Sequence, residues 1–363
     1  MQIIRDREAL HRIPELSKCL PKTMAYLNQQ LQALSCEVFT PTDCTLCAYF
    51  DFGAEDAIAF RSDADALPVT EQTGLAFASQ HPGQMHACGH DGHMAMLLEL
   101  ARRLHGKKQL NNNILLIFQG AEETVGGAKA LCDTGIFKKY NVKAIFGMHL
   151  WPELPAGSVS TRPGAMLSRS CEVTVEISGR SVHIAKAEQG VDAMAAGIAF
   201  YQKAADLVAS LPEDEPKLLN FGKMESGAVR NAVSGFTRLE GTLRTFRDET
   251  FAYLEEGLHR ICREVETESG CKVNMDIGYG YPPVYNDPSL LERVQSIAKV
   301  LPLPQPSMIT EDFSWYQQEV PGVFFFLGTG RTQQLHAVDF DFDPEILLAG
   351  ADLWETLATK LQF

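Results

Sequence analysis

Short, mostly apolar runs alternate with amphipathic stretches through the first 150 residues, and this alternation is the strongest constraint on how the chain can fold. Residues 57–61, 113–119 and 144–148 read as strands, while 23–34, 92–104 and 126–132 read as helices. Strands that are apolar on both faces need cover on both faces, so the pattern predicts a mainly parallel sheet flanked by helices, the α/β class. After Pro163 the texture changes to strand (EVTVEIS), helix (191–211), strand (217–224), strand (232–245), helix (248–267) and strand (272–278). That β-α-β-β-α-β order is the ferredoxin-like arrangement. Beyond Pro282 and Pro283, helices at 289–300 and 312–318, a strand at 323–327 and a closing helix at 344–361 return to the first pattern. The chain therefore reads as a larger domain of residues 1–168 and 281–363, with a mainly parallel mixed sheet, interrupted by a smaller ferredoxin-like domain of residues 169–280; a length of 363 residues accommodates two cores.

Charge narrows the choice of partner. Lys and Arg number 32 against 46 Asp and Glu, a net charge of −14, and no basic cluster offers a footprint for a phosphate backbone or an anionic membrane. No nucleic acid and no membrane are expected as partners. The opening MQIIRDREALHRIPEL is charged where a secretory signal would be apolar, and nine cysteines without a repeated spacing suit reduced thiols, so the expected location is the cytoplasm.

Four segments, far apart in the chain, carry side chains able to bind a metal at strand ends or helix starts. HACGHDGH offers Cys88 and His90, a pairing that favours zinc or a similar borderline metal. ILLIFQGAEE runs an apolar strand into Glu122 and Glu123, so that one acid can bind metal while the other takes and returns a proton. AIFGMHLWP places His149 after a strand, and FLGTGRTQQLHAVDF places His336 in a loop. Each segment alone has an ordinary reading: a histidine-rich helix start, a solvated acid pair at a helix N-terminus, a hydrogen-bonded structural histidine. Together Cys88, His90, Glu123, His149 and His336 supply five ligands, enough for two closely spaced ions, or one with spares.

The segments RSDADALP, MHACGHDGHMAMLLELA, FQGAEE, GMHLWP, NAVSGFTRLEGTLRTF, EDFSWY and LHAVDF resemble, in order and over essentially the whole chain, the amidohydrolase branch of the aminoacylase/carboxypeptidase superfamily. That branch includes hippurate hydrolases, auxin-conjugate hydrolases and N-acetyldiaminopimelate deacetylases. The resemblance implies a zinc-peptidase-like catalytic domain with a ferredoxin-like lid, and one or two divalent ions (zinc, manganese, cobalt or nickel) on Cys88, His90, Glu123, His149 and His336. It also implies Glu122 as general base and Asp65 as a carboxylate that orients a ligand. In the lid it implies His183 polarising the scissile carbonyl and Asn231 and Arg244 holding substrate. The implied substrate is a small N-acyl amino acid. Relatives are often homodimers through the lid, with His183 then serving either its own or the neighbouring site; a monomer with a mobile lid suits the residues equally.

Some positions depart from the family pattern. Gly120 stands where relatives commonly have Pro, Met94 where Thr is common, and Arg180-Ser181-Val182-His183 where a Gly-Gly-His-Ala-like sequence is usual. The last change bears on acyl-group and side-chain specificity more than on the reaction. The same centre would serve a dipeptidase or carboxypeptidase. A non-catalytic binding relative would be expected to lose the base or the ligands, and a closed structural zinc site would use four dense Cys/His ligands.

Overall fold

The structure, a computed structural model, describes residues 1–124, 126–278 and 280–363, and these form two compact units. The first comprises Met1–Met166, Val284–Pro306 and Glu311–Phe363; the second comprises Leu167–Pro283 with Ser307–Thr310. The short piece Ser307–Thr310 is drawn to the second unit by hydrogen bonds: Ser168 donates to the Met308 and Ile309 carbonyls, and Arg244 donates to the Met308 carbonyl. Nothing in the sequence marks that return.

In chain order the strands are β1 (Glu37–Thr42), β2 (Thr45–Phe50), β3 (Ala57–Asp63), β4 (Asn113–Gln119), β5 (Val142–Trp151), β6 (Val159–Thr161), β7 (Gly164–Leu167), β8 (Arg169–Ser178), β9 (Lys217–Ser226), β10 (Phe236–Thr245), β11 (Lys272–Ile277), β12 (Val284–Asn286), β13 (Leu301–Pro302) and β14 (Gly322–Gly328). The α-helices are α1 (Gln2–His11), α2 (Pro21–Leu31), α3 (His90–Leu104), α4 (Gly127–Cys132), α5 (Ile136–Lys139), α6 (Ala193–Ala209), α7 (Asp248–Ser269), α8 (Pro288–Ile297) and α9 (Leu347–Lys360).

The first unit is built on a mixed sheet in the order β1-β2-β4-β3-β5-β14-β6-β13. Its middle is parallel: β4 with β3, β3 with β5, and β5 with β14. These strands, ILLIF and VFFFL among them, are buried along their whole length, as cover on both faces requires. Helix α3 is buried on nearly all sides, and Trp354 of α9 packs edge-on against Phe60 and Phe325, at centroid distances of 5.3 and 5.9 Å, tying helix to sheet. The hairpin β1–β2 was not expected from the sequence: it is short, and Pro41 obscures its alternation. Residues 312–318, read as α-helix, form a 3-10 segment instead.

The second unit is a four-stranded antiparallel sheet in the order β11-β8-β10-β9, the ferredoxin-like order. One face is apolar: Val173, Val175 and Ile177 alternate along β8 and meet Leu239 and Leu243 of β10. Helix α7 covers that face with Leu254, Leu258, Ile261 and Val265, and α6 with Phe200, Ala204 and Leu207. These residues recur at helical spacing, and their burial is what makes two amphipathic helices stable here.

Candidate metal centre

The site lies in the first unit, at the carboxyl ends of β3, β4 and β5, where ligands gather in open α/β sheets. Cys88 and His90 flank Gly89, whose φ of +84° and lack of Cβ are both needed: a Cβ there would lie 2.6 Å from Leu150 Cδ1. Two further backbones are held at positive φ without glycine, Ala121 (64°) just before the acid pair and His336 (67°) itself. Such conformations cost energy and persist where the surroundings enforce them, typically at functional sites. His336 is enforced in part by its own N–H, which donates to the Ala87 carbonyl at 2.8 Å.

Five donor atoms form a continuous series. Cys88 Sγ lies 3.3 Å from His149 Nε2 and 3.3 Å from His336 Nε2. Glu123 Oε1 lies 3.5 Å from His336 Nε2 and 3.7 Å from His90 Nε2. Each buried ring is aimed by its other nitrogen: His90 Nδ1 donates to the Asp65 carbonyl at 2.8 Å, and His149 Nδ1 to the Leu150 carbonyl at 2.7 Å. Ligands about 2.0–2.3 Å from one tetrahedral ion stand roughly 3.3–3.8 Å apart, which is the spacing found. Moreover, His90 Nε2 and Glu123 Oε1 are buried without a hydrogen-bond partner. A divalent cation satisfies both, so the residues present fit a metal. Burial, with Glu123 and Glu122 alongside, raises the Cys88 thiol well above its usual range, and burial lowers His149 to about 3. A neutral imidazole is the form that binds metal, and a cation at the thiol reverses its shift.

Asp63, His90, His93 and His149 also bring their donor atoms together, but His93 is committed. Its Nδ1 donates to Asp63 at 2.6 Å and its Nε2 accepts the Leu150 N–H at 2.9 Å, which leaves no lone pair for an ion.

The carboxylate of Asp65 accepts the N–H groups of Glu122 (3.0 Å) and Glu123 (3.2 Å), while its main-chain carbonyl holds His90. It thus sets the acid pair and one imidazole at once. Glu122 lies between the donor series and a second acid group: its carboxyl comes near His90 and Glu123 on one side and Glu311 and Asp312 on the other. Burial, then Glu311, Glu123 and Asp312, raise its proton affinity well above that of an ordinary glutamate. Glu311 and Asp312 are anchored by the buried Arg61, which also donates to Asp63 and Gln119. Glu311 and Asp63 were not singled out in the sequence, although both lie in the resembling segments EDFSWY and RSDADALP; the paired acids at each place were the available signal.

His183, Asn231 and Arg244 belong to the second unit. His183 is exposed and its Nδ1 accepts the Ala185 N–H; the next residue's N–H donates to the Asn231 carbonyl at 2.9 Å, so His183 and Asn231 are neighbours. Arg244, half-buried on β10, bonds the Met308 carbonyl and has no carboxylate partner among the described residues.

An α/β unit with a thiol–imidazole–carboxylate series, buried except at the exposed His336, beside an uncommitted glutamate defines a metal-dependent hydrolase. The chain belongs to peptidase family M20/M25/M40, whose model matches residues 59–360. It is 34% identical to N-acetyldiaminopimelate deacetylase of Lacticaseibacillus paracasei, over 96% of this chain and 94% of that one. Among solved structures, one from methicillin-resistant Staphylococcus aureus superposes with a TM-score of 0.93 at 31% identity, covering 98% of this chain and 95% of that one. The Bacillus subtilis YXEP protein, described as a dinuclear metal-binding peptidase of the M20 family, gives 0.88 at 28% identity, covering 98% and 96%.

Proposed function

We propose that the protein hydrolyses the amide bond of a small N-acyl amino acid, most readily an N-acetylated one, to a carboxylate and a free amino acid. The observation that carries this reading is the series His149–Cys88–His336–Glu123–His90, with Glu122 beside it and bound to none of the five. In this reading those five side chains hold two divalent ions, zinc or manganese first among the candidates and cobalt or nickel next, and the ions supply Lewis acidity toward water and a carbonyl oxygen. Glu122 takes the proton of the attacking water at its carboxylate and delivers it to the leaving nitrogen. Its raised proton affinity suits it to keep that proton between the two steps. His183 and Asn231 stabilise the developing oxyanion, and the Arg244 guanidinium, bonded to the Met308 carbonyl but to no carboxylate among the described residues, grips the substrate carboxylate with two hydrogen bonds. The deacetylase relative supports the N-acetyl preference.

A homodimer through the second unit is part of the same proposal. Strand β9 is a sheet edge, and α6 exposes Met194, Ile198 and Tyr201 at helical spacing. Ile198→Asp is expected to convert the dimer to monomer in light scattering; an unchanged mass contradicts the surface. Nine free thiols suit a reducing compartment, which supports the cytoplasm. The functional reading is tested with N-acetyl, N-benzoyl and dipeptide substrates and added zinc, manganese, cobalt or nickel. Metal-dependent acetate release from N-acetyl amino acids is expected. Cleavage of dipeptides alone would replace the reading with a dipeptidase, and no cleavage by metal-loaded protein would overturn it.

A further inference from the structure

The N-terminal helix takes no part in the chemistry above, yet one of its side chains is among the most deeply placed in the molecule. Arg7 is 1% exposed. Its Nε donates to Asp91 Oδ2 at 3.3 Å, its Nη1 donates to the Phe342 carbonyl at 3.0 Å, and its Nη2 donates to Asp341 Oδ1. The guanidinium carbon also lies 3.7 Å from the centroid of the Phe342 ring. Asp91 directly follows His90, while Asp341 and Phe342 lie on the stretch that begins with His336. A single planar group therefore spans the two segments that bring Cys88 and His336 together. His11, one turn further along α1, reinforces the near end through its own bond from Nδ1 to Asp91 Oδ2 at 2.8 Å.

We propose that Arg7 is a positioning residue of the metal centre: it holds the Cys88–His90 turn and the His336 loop at the separation at which both can ligate. The proposal rests on Cys88 and His336 being ligands, as read above. The span uses a rigid forked donor set, three nitrogens on three acceptors; a lysine offers its donors from a single nitrogen without that fixed fork and cannot reproduce all three bonds in the same geometry. Without the span, His336 stays tethered by its backbone bond to Ala87, but its loop loses the anchor several residues on. Groups bonded directly to metal ligands typically change metal affinity by about 10–100-fold, and Arg7, which bonds the residue next to His90 and the far part of the His336 loop, is expected at the low end of that range.

The test is titration of cobalt(II) into the metal-free full-length protein, below the melting temperature of each variant. It follows affinity and the thiolate-to-cobalt absorption from Cys88. Arg7→Lys is expected to bind at least about tenfold more weakly than wild type, with that absorption reduced or shifted. Asp341→Asn cuts only the far end of the bridge, at a side chain 30% exposed, so it keeps the fold and is expected to weaken binding in the same direction by less. If Arg7→Lys does not fold, Asp341→Asn decides. A fold-stabilising role alone would lower the melting temperature and leave the cobalt affinity and spectrum of folded variants at wild-type values, and that result overturns the proposal. Absence of any thiolate absorption in wild type would instead remove the ligand assignment on which it stands.

Discussion

The two compact units differ in where they keep their charges. In the first, Arg7, Arg61, Asp63, Asp65, Asp91, Glu311, Asp312 and several imidazoles are buried. In the second, no Asp, Glu, Lys, Arg or His is buried among the described residues, and the pairs Arg238–Glu176, Arg238–Glu240 and Lys223–Glu240 lie on the exposed sheet face. Buried charge is costly unless it is paired or held by metal, so a unit that concentrates it is organised around something other than stability. The second unit has the economy of a one-faced sheet, with helices on the apolar side and solvated ions on the other.

Substitutions that treat the two regions alike should expose the difference. Glu122→Gln keeps the shape of the side chain but not its basicity; kcat is expected to fall by about 10²–10⁴-fold in steady-state assays, with metal content unchanged. Retained activity would remove Glu122 as the base. Next in size, Arg61→Met leaves Asp63, Glu311 and Asp312 without their shared cation and is expected to destabilise the protein by about 3–5 kcal/mol in chemical denaturation. Arg238→Met, its counterpart on the exposed face, should leave the unfolding midpoint where it was. Equal effects would erase the contrast.

The smallest effect is set by pH. Burial disfavours the charged His11 ring, but hydrogen bonds to Asp91 and Glu71 and the charge of Asp91 outweigh burial and the opposing Arg7, raising it from 6.5 to about 9. Its folded value is above its unfolded one, so its stabilisation is complete below pH 6.5 and fades as pH rises through about 9. Taking about 1.4 kcal/mol per unit, that is on the order of 3 kcal/mol at most. The stability difference between wild type and His11→Gln should therefore shrink between pH 6.5 and 9. A difference constant across that window would show that the ring is neutral throughout.

Much of this was legible in the sequence because it followed from period and position. The continuous apolar runs marked the buried strands, and β4 was bounded correctly because Asn113 and Gln119 frame it. Glu122 and Glu123 stood out because they follow such a run directly. His149 was expected after its strand, but β5 continues to Trp151, since pairing with β14 extends it. What could not be read depended on distant partners. His93 looks like a ligand until Asp63 and the Leu150 N–H are seen to occupy both its nitrogens. Arg7 looks like a surface residue of an amphipathic helix until Asp91 and Phe342 close around it.

The central claim, that Cys88 and its neighbours bind the metal, is tested most directly by X-ray absorption at the zinc edge of the zinc-loaded protein and of Cys88→Ser. A sulfur shell at about 2.3 Å beside nitrogen and oxygen at about 2.0–2.2 Å is expected in wild type and should vanish in the variant. A wild-type spectrum without sulfur, or one that Cys88→Ser leaves unchanged, would contradict the account.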